Sequence, residues 1–129
     1  MEYCEGGDLY KFMVKSEVLH PLFVRKIIQQ ICLGLAELKT KELIHRDLKT
    51  ENIFLTRNFQ AKIGDLGFCV TTTEENVIHN VGSPIYMSPE VLNGGAHSFE
   101  SDIYGLGVIW YELLHKTAPW LAKTEAELL

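Results

Sequence analysis

Four polar side chains stand out by type and spacing. Asp47, Lys49 and Asn52 share the stretch His45-Arg46-Asp47-Leu48-Lys49-Thr50-Glu51-Asn52, and Asp65 follows in Asp65-Leu66-Gly67. The carboxamide oxygen of Asn52 and the carboxylate of Asp65 suit Mg²⁺, a hard cation that takes few protein ligands and keeps water and phosphate oxygens around it. Asp47 is suited to orient an attacking hydroxyl or accept its proton, and Lys49 to neutralise charge on a transferring phosphoryl group. Taken singly, each has a plainer reading. A lone Asp caps turns, Asp-x-Gly is itself a common turn, and a lysine is usually solvated. Their shared spacing singles them out.

The neighbouring elements explain how these groups would be held. Ile53-Phe54-Leu55 follows Asn52 directly, Ala61-Lys62-Ile63 lies just before Asp65, and Thr56 to Gln60 reads as the turn between two short strands. Asn52 and Asp65 then flank one hairpin. Leu43-Ile44 makes His45 a packed rather than a reacting imidazole. Val24, Ile28, Ile31, Leu35 and Leu38 step by four, three, four and three, which predicts a helix over 22–38. Asp8, after Gly6-Gly7, predicts the cap of a short helix from Leu9 to about Val14. Ile103, Leu106, Trp110 and Leu113 predict a second long helix over 102–115. Val108, Ile109 and Leu114 make it apolar nearly all round, so it is expected mid-core, with Trp110 and Trp120 as core residues and Asp102 in a capping or buried network role. Thr71 to Ser88 reads as a long surface loop, and 124–129 as the start of a further helix.

Composition bounds the rest. The 129 residues allow one domain, and 47% apolar with 22% charged residues is ordinary for a globular chain. A net charge of −5 argues against sequence-independent nucleic-acid binding. No apolar run reaches the ~18 residues of a membrane span. The N-terminus has no signal or transit character. Cys4, Cys32 and Cys69 are too few and too widely spaced for a disulfide framework or zinc site. A reducing, intracellular and cytoplasmic setting is the expectation, with Cys32 a small buried residue.

His-Arg-Asp-Leu-Lys-x-x-Asn followed by Asp-Leu-Gly resembles the catalytic loop and metal motif of protein kinases. Met1-Glu2-Tyr3-Cys4-Glu5-Gly6-Gly7-Asp8 resembles the hinge, and Gly82-Ser83-Pro84-Ile85-Tyr86-Met87-Ser88-Pro89-Glu90 the end of the activation segment. Ser101-Asp102-Ile103-Tyr104-Gly105-Leu106-Gly107 resembles the central helix of the large lobe. The flavour is that of NIMA-related or Unc-51-like serine/threonine kinases. The resemblance implies a mainly α (α+β) protein-kinase-like fold, C-terminal lobe only, with small β-hairpins at the active-site face. Residues 1–129 would be a partial kinase domain.

The implied activity is ATP- and Mg²⁺-dependent phosphoryl transfer to serine or threonine hydroxyls of a protein substrate. By the same resemblance Asp47 is the catalytic base, Lys49 contacts the γ-phosphate, and Asn52 and Asp65 bind Mg²⁺. The backbone of Glu2 and Cys4 would pair with adenine, Asp8 bond the ribose, and Phe54 lie under the ring. Glu51 joins the binding set, reading a basic substrate residue or standing as a solvated carboxylate. Ser83 would lie beside Asp47, and Asp102 would tie the catalytic loop to the central helix. Arg46 implies a phosphate partner in the activation segment.

The chain also departs from the family pattern. Leu66 stands where Phe is usual, Ser88 where Ala is, and Thr50 where Pro is frequent. Ile78-His79-Asn80-Val81 offers no hydroxyl just before Gly82, which leaves Arg46 without the usual phosphate partner. No Gly-x-Gly-x-x-Gly occurs, and neither the strand lysine nor its glutamate partner is among these residues. The chain alone is therefore expected to be inactive. The alternatives are a non-catalytic, pseudokinase-like binding fragment, a small-molecule phosphotransferase, and a purely structural helical module.

Overall fold

The computed structural model describes residues 7–64, 69–71, 82–117 and 119. Helix α1 (Leu9–Lys15) starts where Asp8 Oδ1 accepts the Lys11 N–H at 2.8 Å, as the sequence predicts. Helix α2 (Pro21–Thr40) opens with Pro21 in its first turn and His20 Nδ1 accepting the Leu22 N–H. Its buried stripe is Val24, Ile27, Ile28, Ile31 and Leu35. Cys32 is exposed, correcting its expected burial. One residue past Ile31 turns the side chain by about 100° around the axis, away from the core.

Strand β1 (Leu43–Ile44) leads into the loop that carries Asp47. Strands β2 (Ile53–Leu55) and β3 (Ala61–Ile63) form the expected antiparallel hairpin, with Ile53 opposite Ile63 and Leu55 opposite Ala61. Strand β4 (Val70–Thr71) pairs antiparallel with β1. Thr71 therefore ends a strand rather than opening the predicted loop. Pro84–Tyr86 forms one 3₁₀ turn, followed by α3 (Pro89–Leu92).

Helix α4 (Phe99–His115) begins three residues before the predicted start. Ser98 Oγ accepts the Ser101 N–H at 3.1 Å while Ser101 Oγ accepts the Ser98 N–H at 2.8 Å, so the reciprocal cap lies ahead of Asp102. The helix is not buried all round. Leu106, Ile109 and Leu113 face the core, whereas Ile103 and Trp110 are 42% and 44% exposed. Trp110 is thus not a core residue, because the apolar circumference is wider than the face that α2 covers. Trp120 and residues 124–129 lie outside the described residues.

One hydrophobic cluster joins α1, α2, β2 and α4 through Leu9, Met13, Ile31, Leu35, Ile53, Leu55 and Ile109, and takes in Leu48 from the loop. Strand β2 contributes two fully buried residues, Ile53 and Leu55, to this core. Among the described residues, no helix is long and apolar enough to cross a membrane.

Candidate active site

The loop after β1 is buried from His45 to Leu48, and Lys49 is its partly exposed residue before the buried Thr50. Leu48 is buried in the core, which leaves Asp47 and Lys49 on either side of it. Thr50–Asn52 makes a single 3₁₀ turn, closed by Asn52 N–H donating to Lys49 O at 2.9 Å. That turn brings Asn52 back over Asp47. Asn52 Nδ2 donates to Asp47 O at 2.7 Å and to Asp47 Oδ2 at 3.3 Å. Ser83 Oγ donates to Asp47 Oδ1 at 3.3 Å and accepts from Lys49 Nζ at 3.1 Å. Lys49 Nζ lies 3.6 Å from Asp47 Oδ2. Asp47, Lys49, Asn52 and Ser83 therefore meet in one cluster. Asp65, Glu2 and Cys4 lie outside the described residues.

Three devices hold the loop in this shape. Asp102 accepts the backbone N–H groups of His45 (Oδ2, 2.8 Å) and Arg46 (Oδ1, 3.1 Å). Burial raises the Asp102 pKa, and the two donated hydrogen bonds oppose that rise. Arg46 itself has φ 73°, a left-handed conformation that an L-residue adopts only when its surroundings impose it. His45 is fully buried. Its Nδ1 accepts the Asp47 N–H at 3.1 Å, which places the ring proton on Nε2, 3.0 Å from Gly64 O. The expected packing role of His45 thus includes fixing the Asp47 backbone. From the other side, Gly82 (φ 105°) passes so close to the Arg46 carbonyl that a Cβ would collide with it.

Asp8 and Phe54 are adjacent, as partners in an antiparallel bridge. Gly64 lets the chain pass against the Phe54 ring, and its N–H donates to Asn52 O at 2.8 Å. The hairpin thereby connects the Asp8–Phe54 corner to the Asp47 cluster. Glu51 is exposed, and its Oε1 accepts from Thr50 Oγ1 at 2.9 Å.

The sequence reading missed Tyr86 and Glu112. Tyr86 OH donates to Glu112 Oε1 at 2.6 Å and lies 3.4 Å from Thr50 Oγ1. Burial and the neighbouring carboxylate hold the phenol well above its usual range. Burial also raises Glu112, Glu51 adds to the rise, and the Tyr86 and Thr50 hydrogen bonds oppose it. No sequence spacing links the two residues, so only the fold reveals the pair.

The donor set bears on Mg²⁺. Among the described residues, the side-chain hydrogen bonds of Asn52 use Nδ2, and its Oδ1 is a neutral oxygen of the kind Mg²⁺ takes. Among the described residues, no cluster of three or more His, Cys, Asp or Glu forms an all-protein metal cage.

Residues 1–129 match the protein kinase domain family. The chain belongs to the protein kinase family. It is 38% identical to the mouse serine/threonine-protein kinase Nek4 over 88% of this chain and 15% of that protein. It is 36% identical to ULK3 of Xenopus laevis, over 98% of this chain and 28% of that protein. Mouse PLK5, named an inactive serine/threonine-protein kinase, is 35% identical over 99% of this chain and 22% of that protein. This kinase-family chain thus spans less than a third of the length of these relatives. The Nek and ULK matches agree with the subfamily flavour of the motifs.

Proposed function

We propose that this chain carries the large-lobe catalytic apparatus of an ATP- and Mg²⁺-dependent protein serine/threonine kinase, with residues 1–129 forming part of its kinase domain. The observation that supports this most is the convergence of Lys49, Asn52 and Ser83 on Asp47. In this reading Asp47 orients the acceptor hydroxyl and takes its proton. Asn52 fixes the Asp47 carboxylate and offers Oδ1 to Mg²⁺ together with Asp65. Lys49 sets positive charge beside the γ-phosphate. Ser83 keeps Lys49 and Asp47 in register, and Asp8, Phe54, Glu51 and the backbone of Glu2 and Cys4 contribute to nucleotide or substrate binding. Bound Mg²⁺–ATP supplies the phosphoryl group and neutralises its charge, while the chain's residues contribute position and electrostatics. The substrate class is a protein bearing a serine or threonine hydroxyl, in an intracellular setting.

These 129 residues hold neither a glycine-rich phosphate loop nor the strand lysine, so the chain by itself has weak nucleotide affinity and no turnover in this reading. The test is phosphate transfer to a serine/threonine peptide by the longest chain containing these residues, against Asp47→Asn as control. Activity above the control supports the reading; none defeats it. A second reading, a non-catalytic binding module, is favoured by the likeness to a relative named inactive. It predicts no Mg²⁺-dependent ATP binding by calorimetry.

A further inference from the structure

Ser88 precedes α3 at the position where a serine hydroxyl ordinarily accepts a hydrogen bond from the first turn. It makes no such bond. Its backbone carbonyl takes the Val91 and Leu92 N–H groups at 3.1 and 3.0 Å. The side chain, only 1% exposed, instead lines a cavity of about 20 Å³. Among the described residues, Ser88 Oγ has no hydrogen-bond partner. The same cavity is lined by Asp102, His97, Ser101, Arg46 and Asp47.

We propose that this cavity is a binding site for one structural water, held by Ser88 Oγ and the Asp102 carboxylate. Three facts carry it. The volume exceeds the roughly 10–15 Å³ that one water needs. The lining is mixed, with Ser88, His97, Ser101 and Asp102 among apolar neighbours such as Leu48, Met87 and Val91, and a water persists in a protein interior only where it finds two or more polar partners. Ser88 Oγ is a buried hydroxyl without a partner among the described residues, and a water in this space would satisfy it. Asp102 spends one lone pair of each oxygen on His45 and Arg46, and a carboxylate has about four such sites, so it has capacity for a further donor.

The water would join three elements at one point: the segment ending at Ser88, α4 through Asp102, and the loop that Asp102 holds. Ser88→Ala removes the hydroxyl and keeps the Cβ. The proposal is independent of the catalytic reading.

The test is a high-resolution crystal structure of the full chain and of Ser88→Ala, with amide hydrogen exchange at His45 and Arg46. The expected result is one ordered water within hydrogen-bond distance of Ser88 Oγ and Asp102 in the parent chain and its loss in the variant. Exchange at both amides should then quicken by about two- to tenfold, the worth of one hydrogen bond. Density in both proteins or in neither overturns the site. Unchanged exchange overturns its link to the loop.

Discussion

Asp102 Oδ1 accepts the N–H of Arg46, 56 positions earlier in the chain, at 3.1 Å, and Arg46 is the residue of the candidate loop with a left-handed backbone. The carboxylate is therefore bonded to the strained peptide itself. Asp102→Asn keeps the shape but turns one acceptor oxygen into an N–H₂ group that faces a backbone N–H. The expected loss is about 3 kcal/mol of unfolding free energy by urea denaturation. Amide exchange at residues 45 and 46 should accelerate beyond the global change.

Glu112 carries a pH signature. Its pKa in the folded chain lies above the ordinary 4.5 because burial disfavours the carboxylate and Glu51 repels it. Between 4.5 and the raised value, the folded state holds a proton that the unfolded state has released. Stability from this group is therefore highest below that window and falls as pH rises through it. Glu112→Gln keeps an oxygen for Tyr86 OH and never ionises. Melting temperatures measured from pH 4 to pH 8 should show the variant gaining on the parent as pH rises, with the gap levelling off above the window. A gap independent of pH would contradict this.

Gly82→Ala tests the crossing over the loop. A methyl group there meets the Arg46 carbonyl, and φ 105° is strained for any L-side chain. The expected cost is about 2 kcal/mol or more, read from thermal unfolding. Gly107→Ala is the control, because nothing lies within 4 Å of a Cβ there and the site is helical. It should be neutral or slightly stabilising.

Cys32, exposed on α2, should react with an aromatic disulfide reagent in the folded state at a rate near that of a free peptide thiol. Cys32→Ser should shift stability by no more than about 0.5 kcal/mol. Slow labelling that tracks unfolding would return Cys32 to the interior.

The loop, the hairpin and α2 were legible because each is written locally. Asp47, Lys49 and Asn52 lie within one turn of chain, and the stripe from Val24 to Leu35 repeats at the helical period. The Leu43–Thr71 pairing was not legible, since two-residue strands far apart in sequence leave no periodic trace. The burial of α4 was misread for a related reason. Periodicity shows which residues are apolar, but Trp110 and Ile103 are exposed because of what does and does not pack against that side. The Ser98–Ser101 cap lacked the Glu or Gln that usually marks such a start. The Tyr86–Glu112 bond depends on tertiary proximity alone.

Ser83 has a single hydroxyl hydrogen, and its two neighbours leave that hydrogen no choice. An ammonium can only give and a carboxylate can only receive, so the chain Lys49, Ser83, Asp47 has one fixed polarity. Threonine at this position would preserve that one-way wiring. Alanine would remove the relay and leave only the direct approach of Lys49 Nζ to Asp47 Oδ2, already 3.6 Å, between the two charges.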